Sequence, residues 1–211
     1  MDLTVFDETQ IRTMFTDMLQ NMSGSLKQIF VDTYGSIEAW ENHMMEAASD
    51  EKVQKNYAKV VEWYGGKEAT KEGGRETAKE DGKEAVMEGG KEAVNEDGKE
   101  AAKEFIKNQP NSEIFAAYRN RIDDIQRRIV EKIGTDVTSF EVRQLIGEYD
   151  FVAKQLYQIK DARPILLDIA KGYREDEKLI AGLDSVYGSG SAKYIGEAIE
   201  SFYISLSKVF Q

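Results

Sequence analysis

The spacing of hydrophobic residues predicts a chain built from helices. In segment after segment, apolar residues recur three or four positions apart, which places them on one face of a helix, and no segment shows a convincing alternation with a period of two. The first stripe lies in residues 7–31. Asp7 and Gln10 have the spacing of a capping box at its start, and Gly24 is a point at which this helix can bend or break. The pattern predicts an all-α fold.

Further stripes, each preceded by a candidate N-cap residue, predict the remaining helices. Ser and Asp side chains suit these positions because they accept hydrogen bonds from the free backbone N–H groups of a first helical turn. A loop is expected at residues 187–191, with the last helix starting near Ser191. The expected caps are Ser36, Ser49, Asn111 or Ser112, Thr138 in a capping box with Glu141, and Asp161 ahead of a first turn that contains Pro164.

Five consecutive octads occupy residues 65–104 and interrupt this pattern. They begin with "GGKEATKE" and repeat it with small changes. Each octad contains at least one glycine, which costs about 1 kcal/mol relative to alanine inside a helix. Eight residues overshoot two helical turns by about 80°, so the Ala and Val positions build no lasting apolar stripe. We expect a solvated, partly helical extension; the alternatives are a helical arm held by another chain and a repeat that binds its own ligand.

Composition and charge exclude several classes of function. The formal net charge is −11, which disfavours binding to the phosphates of nucleic acids. No apolar run approaches the roughly 18 residues of a membrane span, and the N-terminus lacks the pattern of a signal peptide. Cysteine is absent, so there is neither a disulfide framework nor a thiol nucleophile. These features favour a cytoplasmic protein that contacts no membrane and, as this chain alone, no nucleic acid.

The residues offer little that points to catalysis or to a metal. His43 is the one histidine, and a zinc site built on histidines needs more of them. We therefore interpret it as a surface or boundary residue of a short helix. The neighbouring carboxylates at 123–124 and 175–176 point about 100° apart on a helix, which favours solvated faces over catalytic pairs. We expect no cofactor, no metal and no enzymatic activity.

The C-terminal stretch "GYREDEKLIAGLDSVYGSGSAKYIGEAI" (172–199) resembles the end of the TipAS antibiotic-recognition domain, the effector-binding half of certain MerR-family transcriptional regulators. Two further stretches, 32–40 and 127–152, resemble the family's entry segment and its passage from a long helix through a loop to another helix. The residues that carry the C-terminal resemblance are Tyr173, Asp176, Glu177, Asp184, Gly188 or Gly190, Ala198 and Ile199.

The resemblance implies a globin-like helical domain with a ligand cleft, formed by residues 31–64 and 105–211 and interrupted by the octads at 65–104. Residues 1–30 precede it as an amphipathic helix, a candidate surface for a homodimer. Long insertions in surface connections cost little, because closure entropy grows slowly with length. The chain departs from the family by lacking the cysteine that can capture thiopeptides covalently, and by having Glu148 where family members often have a histidine.

The implied function is reversible recognition of a bulky, drug-like small molecule by the effector domain of a MerR-type regulator. No DNA-binding half is visible in the sequence, so the alternative is a stand-alone protein that sequesters the drug. Aromatic side chains that combine apolar surface with a polar group suit such a cleft, although each is also compatible with an ordinary core. The predicted ligand-binding residues are Trp40, Trp63, Tyr118, Tyr149, Tyr157 and Tyr173.

Overall fold

The computed structural model describes residues 6–65 and 111–209, and within these ranges every regular element is an α-helix. The all-α prediction is therefore confirmed. The octads, except Gly65, lie outside the described residues. The helices are α1 (Glu8–Gln20), α2 (Gly24–Tyr34), α3 (Ile37–Ala48), α4 (Glu51–Tyr64), α5 (Glu113–Val130), α6 (Phe140–Tyr157), α7 (Arg163–Glu175), α8 (Glu177–Tyr187) and α9 (Ser191–Val209).

The predicted first helix is two helices in the structure. Its start is as expected, because Asp7 and Gln10 form the capping box with both hydrogen bonds at 2.9 Å. The break falls at Asn21–Ser23, where the Ser23 hydroxyl accepts a hydrogen bond from the backbone of α2 at 3.1 Å. Gly24 then becomes the first residue of α2. A local serine cap thus replaces a continuous helix at the position where glycine weakens one.

Two of the predicted caps are displaced by one residue. Asp50, and not Ser49, caps α4, while the Ser49 hydroxyl donates backwards into the last turn of α3. Ser139, and not Thr138, caps α6, because the Thr138 hydroxyl is already bound to Asp136 at 2.8 Å. Each cap was assigned to the right helix but to the wrong side chain, since neighbouring side chains compete for the same free backbone groups.

Between Gln158 and α9, the structure differs from the prediction in the cap of α7 and in having one additional helix. Ala162 occupies the N-cap position of α7 without a side-chain cap, although Asp161 accepts a hydrogen bond from the Arg163 N–H at 2.9 Å, and Pro164 lies in the first turn as expected. Helix α8 was not predicted as a separate element. Asp176 ends α7 and caps α8, so the two helices follow each other without a loop.

Helix α5 contacts α1, α4, α6 and α9, whereas α7 packs along α9 and also contacts α2, α6 and α8. One hydrophobic core includes side chains from all of these helices. The arrangement buries the aliphatic stripes, as expected. It also buries large aromatic side chains that were predicted to line a cleft.

The segment predicted to precede the domain takes part in the same core. Asp17 of α1 is only 2% exposed, and its carboxylate accepts hydrogen bonds from the Ser112 N–H at 2.7 Å and from the Asn111 amide at 3.2 Å. A negative charge at the N-terminus of α5 also interacts favourably with the helix dipole. The apolar face of α1 is buried within this chain, and the homodimer through residues 1–30 stays a prediction.

Among the described helices, none combines the length and the apolar character that crossing a membrane requires.

Candidate functional site

The six predicted ligand-binding residues do not form one group. Tyr149 and Tyr173 belong to a hydrogen-bonded cluster of tyrosines between α5, α6 and α7. Trp40 and Tyr157 meet at the contact between α3 and the end of α6, where both pack against Phe30. Tyr118 is fully buried on α5, and the side chain of Trp63, near the end of α4, is 63% exposed.

The first group, which we call the tyrosine cluster, consists of Gln126, Tyr149, Tyr173 and Tyr187. The buried Gln126 amide lies at its centre and donates to the Tyr173 hydroxyl at 3.0 Å and to the Tyr149 hydroxyl at 3.4 Å. The Tyr187 hydroxyl lies 3.3 Å from the amide oxygen of Gln126. One side chain of α5 therefore ties together hydroxyls from α6, α7 and α8.

A charged pair closes the outer end of the tyrosine cluster. The Tyr187 hydroxyl donates a short hydrogen bond to Asp123. Asp123 in turn accepts from Arg127 at 2.8 Å, and the Arg127 guanidinium stands over the Tyr187 ring, 5.3 Å from its centroid. The cluster thus runs from the interior, at Tyr149, to a half-exposed ion pair at the surface.

Burial sets the protonation state of these hydroxyls. It raises the pKa of Tyr149, Tyr157, Tyr173 and Tyr187, and the hydrogen bond to Asp123 raises the pKa of Tyr187 further. All four phenols are neutral at physiological pH. They can donate and accept hydrogen bonds and offer aromatic surface, but they are poor general bases.

The second group, which we call the Trp40 junction, consists of Phe30, Trp40, His43, Tyr157 and Gln158. The Trp40 and Phe30 rings are stacked with their centroids 3.7 Å apart. The Trp40 indole donates to the Tyr157 carbonyl at 3.3 Å, and the imidazole of His43, through Nε2, pairs with the Gln158 carbonyl at 2.9 Å. These donors satisfy carbonyl groups that the end of α6 leaves without helical partners. His43 is thus part-buried and has a structural contact.

Tyr118 lies deep between α4 and α5. Its ring meets that of Tyr57 edge to face, with centroids 6.1 Å apart. The Tyr57 hydroxyl accepts from the Gln158 amide at 3.2 Å, whereas the Tyr118 hydroxyl has no hydrogen-bond partner among the described residues.

Two surface clefts lie away from all six predicted residues. One, of about 580 Å³, is formed by Phe6 and the start of α1 together with α3 and Gln54 of α4. The other, of about 290 Å³, lies where the first turns of α1 and α5 meet. The six ligand-binding positions therefore stay predictions. In residues 6–65 and 111–209, no three His, Cys, Asp or Glu side chains come together as a metal site.

Several residues behind the family resemblance build the turns between the last three helices, whereas Ala198 and Ile199 are buried within α9. Asp176 caps α8, and the Asp184 carboxylate accepts from the Gly190 and Ala192 N–H groups at 2.9 Å each. Gly188 and Gly190 adopt positive φ angles of 102° and 86°, which side-chain-bearing residues rarely tolerate. The motif is thus mainly structural. Tyr173, in the tyrosine cluster, is the exception.

A family model for the TipAS antibiotic-recognition domain matches residues 57–202, more than half of the chain. The match begins in α4, ends in α9 and includes the whole tyrosine cluster. The chain therefore belongs to the TipAS family. Neither the search of curated proteins nor the search of solved structures found a match.

Sequence analysis missed Gln126 and Asp123 as parts of a site. Gln126 had a detectable signal, because it lies one turn from both Ile122 and Ile129 and so interrupts an apolar stripe with an amide. Asp123 had none, because its bond to Tyr187 joins residues 64 positions apart. Glu148 pairs with Arg128 at 3.0 Å.

Proposed function

We propose that this chain is the ligand-binding effector domain of a MerR-type regulator that senses antibiotics or other bulky drug-like molecules in the cytoplasm. The observation that carries the proposal is the match to the TipAS antibiotic-recognition domain over residues 57–202. The match includes a group of neutral tyrosine hydroxyls from α6, α7 and α8, which the Gln126 amide of α5 holds together.

The tyrosine cluster suits a ligand that is bound without being changed. Its hydroxyls and the Gln126 amide supply polar groups within an aromatic surface, which fixes the orientation of a largely apolar ligand. With no cysteine in the sequence, binding is reversible. We propose recognition and not catalysis, because raised pKa values keep these phenols protonated at neutral pH, where a neutral phenol does not act as a general base.

The octads at 65–104 are, in this proposal, an insertion in a surface connection of the TipAS domain. The family match extends across them, with matched helices on both sides. Helices α4 and α5 pack against each other, and the Asn120 amide donates to the Tyr64 carbonyl at 2.7 Å, so the two flanks of the octads are in direct contact.

Thermal denaturation with a panel of thiopeptides and other aromatic antibiotics tests the proposal. A ligand present at 100 times its dissociation constant stabilises a folded protein by about 2.7 kcal/mol. We expect at least one thiopeptide to raise the midpoint of unfolding, and Gln126→Leu to reduce that shift. Arg12→Lys, at an exposed position of α1, is the control. A panel without any stabilising compound would contradict the proposal.

Sequestration of the drug without a transcriptional role is the second candidate. It is favoured by the charge of −11 and by α1 and α2, whose apolar residues are committed to the core. A mobility-shift titration against the promoter of the encoding gene separates the two. Specific, ligand-dependent retardation by the full-length gene product favours the regulator, whereas drug tolerance without retardation favours sequestration.

A further inference from the structure

Arg121 of α5 occupies an unusual position between two aromatic rings. Its guanidinium stands over the Tyr64 ring at 6.0 Å and over the Phe151 ring at 5.9 Å, so α4 and α6 each supply one face. Its Nη1 donates to the neutral Gln155 amide at 3.2 Å. Among the described residues, no carboxylate forms an ion pair with this half-buried cation.

Two buried polar atoms at this place have no hydrogen-bond partner among the described residues. They are the Nε of Arg121 and the hydroxyl of Tyr118, one helical turn earlier on α5. The two side chains interact: burial raises the pKa of Tyr118, and the charge of Arg121 acts against that increase. A buried polar group without a partner costs about 1–3 kcal/mol, so two such groups one helical turn apart on α5 require a physical explanation.

The unpaired atoms define what would complete the site. Both the guanidinium Nε–H and the tyrosine O–H can donate, so the missing partner is an acceptor oxygen. A carboxylate fits best, because it can also accept from a second guanidinium nitrogen in the planar geometry that arginine favours. The Phe151 ring covers Arg121 and is itself 52% exposed, so it can swing aside with little loss of packing.

The surrounding charges limit which anions can bind. Asp124 and Glu148, both near Tyr64, are held by Arg128 at 3.4 Å and 3.0 Å. The two carboxylates of Asp124 and Glu148 balance the two guanidinium groups of Arg128 and Arg121, so the four groups together carry no net charge. A small inorganic anion would therefore find little electrostatic attraction, and a ligand must bring aromatic surface as well as its charge. The Tyr64 and Phe151 rings supply the matching surface.

We propose that one group of residues, here called the Arg121 site, binds the carboxylate of an aromatic ligand. The group consists of Tyr64, Tyr118, Arg121, Phe151 and Gln155. The inference rests on the proposed function in taking the occupant to be a small molecule. It adds a polar anchor, on the α4 side of α5, that is separate from the tyrosine cluster.

Calorimetric titration with naphthoate tests the proposal. Two further probes serve for comparison: naphthylmethylammonium has the rings but lacks the negative charge, and acetate has the carboxylate but lacks the rings. We expect naphthoate alone to bind, and the Arg121 Nε–H signal in NMR spectra to shift on binding. Arg121→Lys keeps the charge but lacks Nε and should weaken binding about tenfold or more. Tyr118→Phe should weaken it several-fold, while the control Arg12→Lys should bind as the wild type does.

The proposal would be overturned if the wild type did not bind naphthoate, if Arg121→Lys bound it equally well, or if all three probes bound equally tightly. A chain without residues 65–104 should bind naphthoate unchanged. A large gain in affinity would show that a glutamate of the octads occupies Arg121, which also overturns the proposal. Naphthoate binding and the thermal shift caused by thiopeptides are separate measurements, so failure of this site and failure of the proposed function are distinguishable.

Discussion

The Trp40 junction and the Arg121 site both combine aromatic side chains with residues of α6, yet they differ in whether their buried polar atoms have hydrogen-bond partners. At the Trp40 junction, the indole and the imidazole each contact a carbonyl at the end of α6. At the Arg121 site, the guanidinium Nε and the Tyr118 hydroxyl are buried without a partner among the described residues. Both regions contain residues that the sequence had suggested as ligand-binding.

This difference indicates that aromatic content alone does not identify a binding site, whereas buried polar atoms without hydrogen-bond partners can. Where the buried polar atoms of a region are already paired, their hydrogen bonds add stability, and a ligand has to compete with them. A region with unpaired buried donors lowers stability in the free protein and gains when a partner arrives. The Arg121 site is therefore the better candidate for recognition, and ligand binding by Trp40 and Tyr157 stays a prediction.

The largest expected effect comes from Trp40→Ala. The indole is fully buried and stacked on Phe30, so its removal leaves a cavity and should lower the free energy of unfolding by about 3–5 kcal/mol. Urea denaturation followed by circular dichroism measures the loss. A variant with wild-type stability that no longer binds ligand would show instead that Trp40 lines a cleft, and the contrast between the two regions would fail.

A smaller loss is expected for His43→Leu. This change keeps the side chain similar in size but replaces the polar imidazole that pairs with the Gln158 carbonyl by an apolar group, which should cost about 1–3 kcal/mol. His43→Gln can still donate a hydrogen bond and should recover part of the stability. The comparison is weakened if both variants unfold at the same denaturant concentration as the wild type.

Tyr118→Phe should have the opposite sign. The hydroxyl is buried without a described partner, so removing it should raise the free energy of unfolding by about 1 kcal/mol or leave it unchanged. Tyr57→Phe is the matched control: its ring is equally buried and touches that of Tyr118, but its hydroxyl accepts from Gln158. We expect the control to lose about 1 kcal/mol. Equal losses in both would show that the Tyr118 hydroxyl has a partner.

The smallest effect is expected from deletion of residues 65–104. The flanking helices α4 and α5 pack directly on each other, and residues 105–111 would still connect them. Because closure entropy changes slowly with loop length, the free energy of unfolding should change by less than about 1 kcal/mol. Thermal melts of both chains measure this. A molten deletion variant would mean that the octads stabilise the domain, and Tyr64 would then not be positioned by α5 alone.

Local sequence patterns predicted most of the helices but neither α8 as a separate element nor all of the helix ends. Asp7 and Ser36 were identified correctly as caps, and Ser112 was one of two candidates for the cap of α5, since a cap involves residues only two or three positions apart. Ser49 and Thr138 were the wrong choices beside Asp50 and Ser139. Propensity alone does not decide between neighbouring polar side chains that offer the same hydrogen bond.

The all-α class and, through the stretch around Asp176 and Asp184, the TipAS family could be predicted from local patterns, because helical periodicity and turn chemistry are properties of nearby residues. Which aromatic residues share a site depends instead on tertiary packing. Tyr173 reaches Gln126 across 47 positions, and Trp40 reaches Tyr157 across 117. Whether a buried hydroxyl finds a partner, as that of Tyr57 does and that of Tyr118 does not, depends on how three helices pack, and no local pattern encodes it.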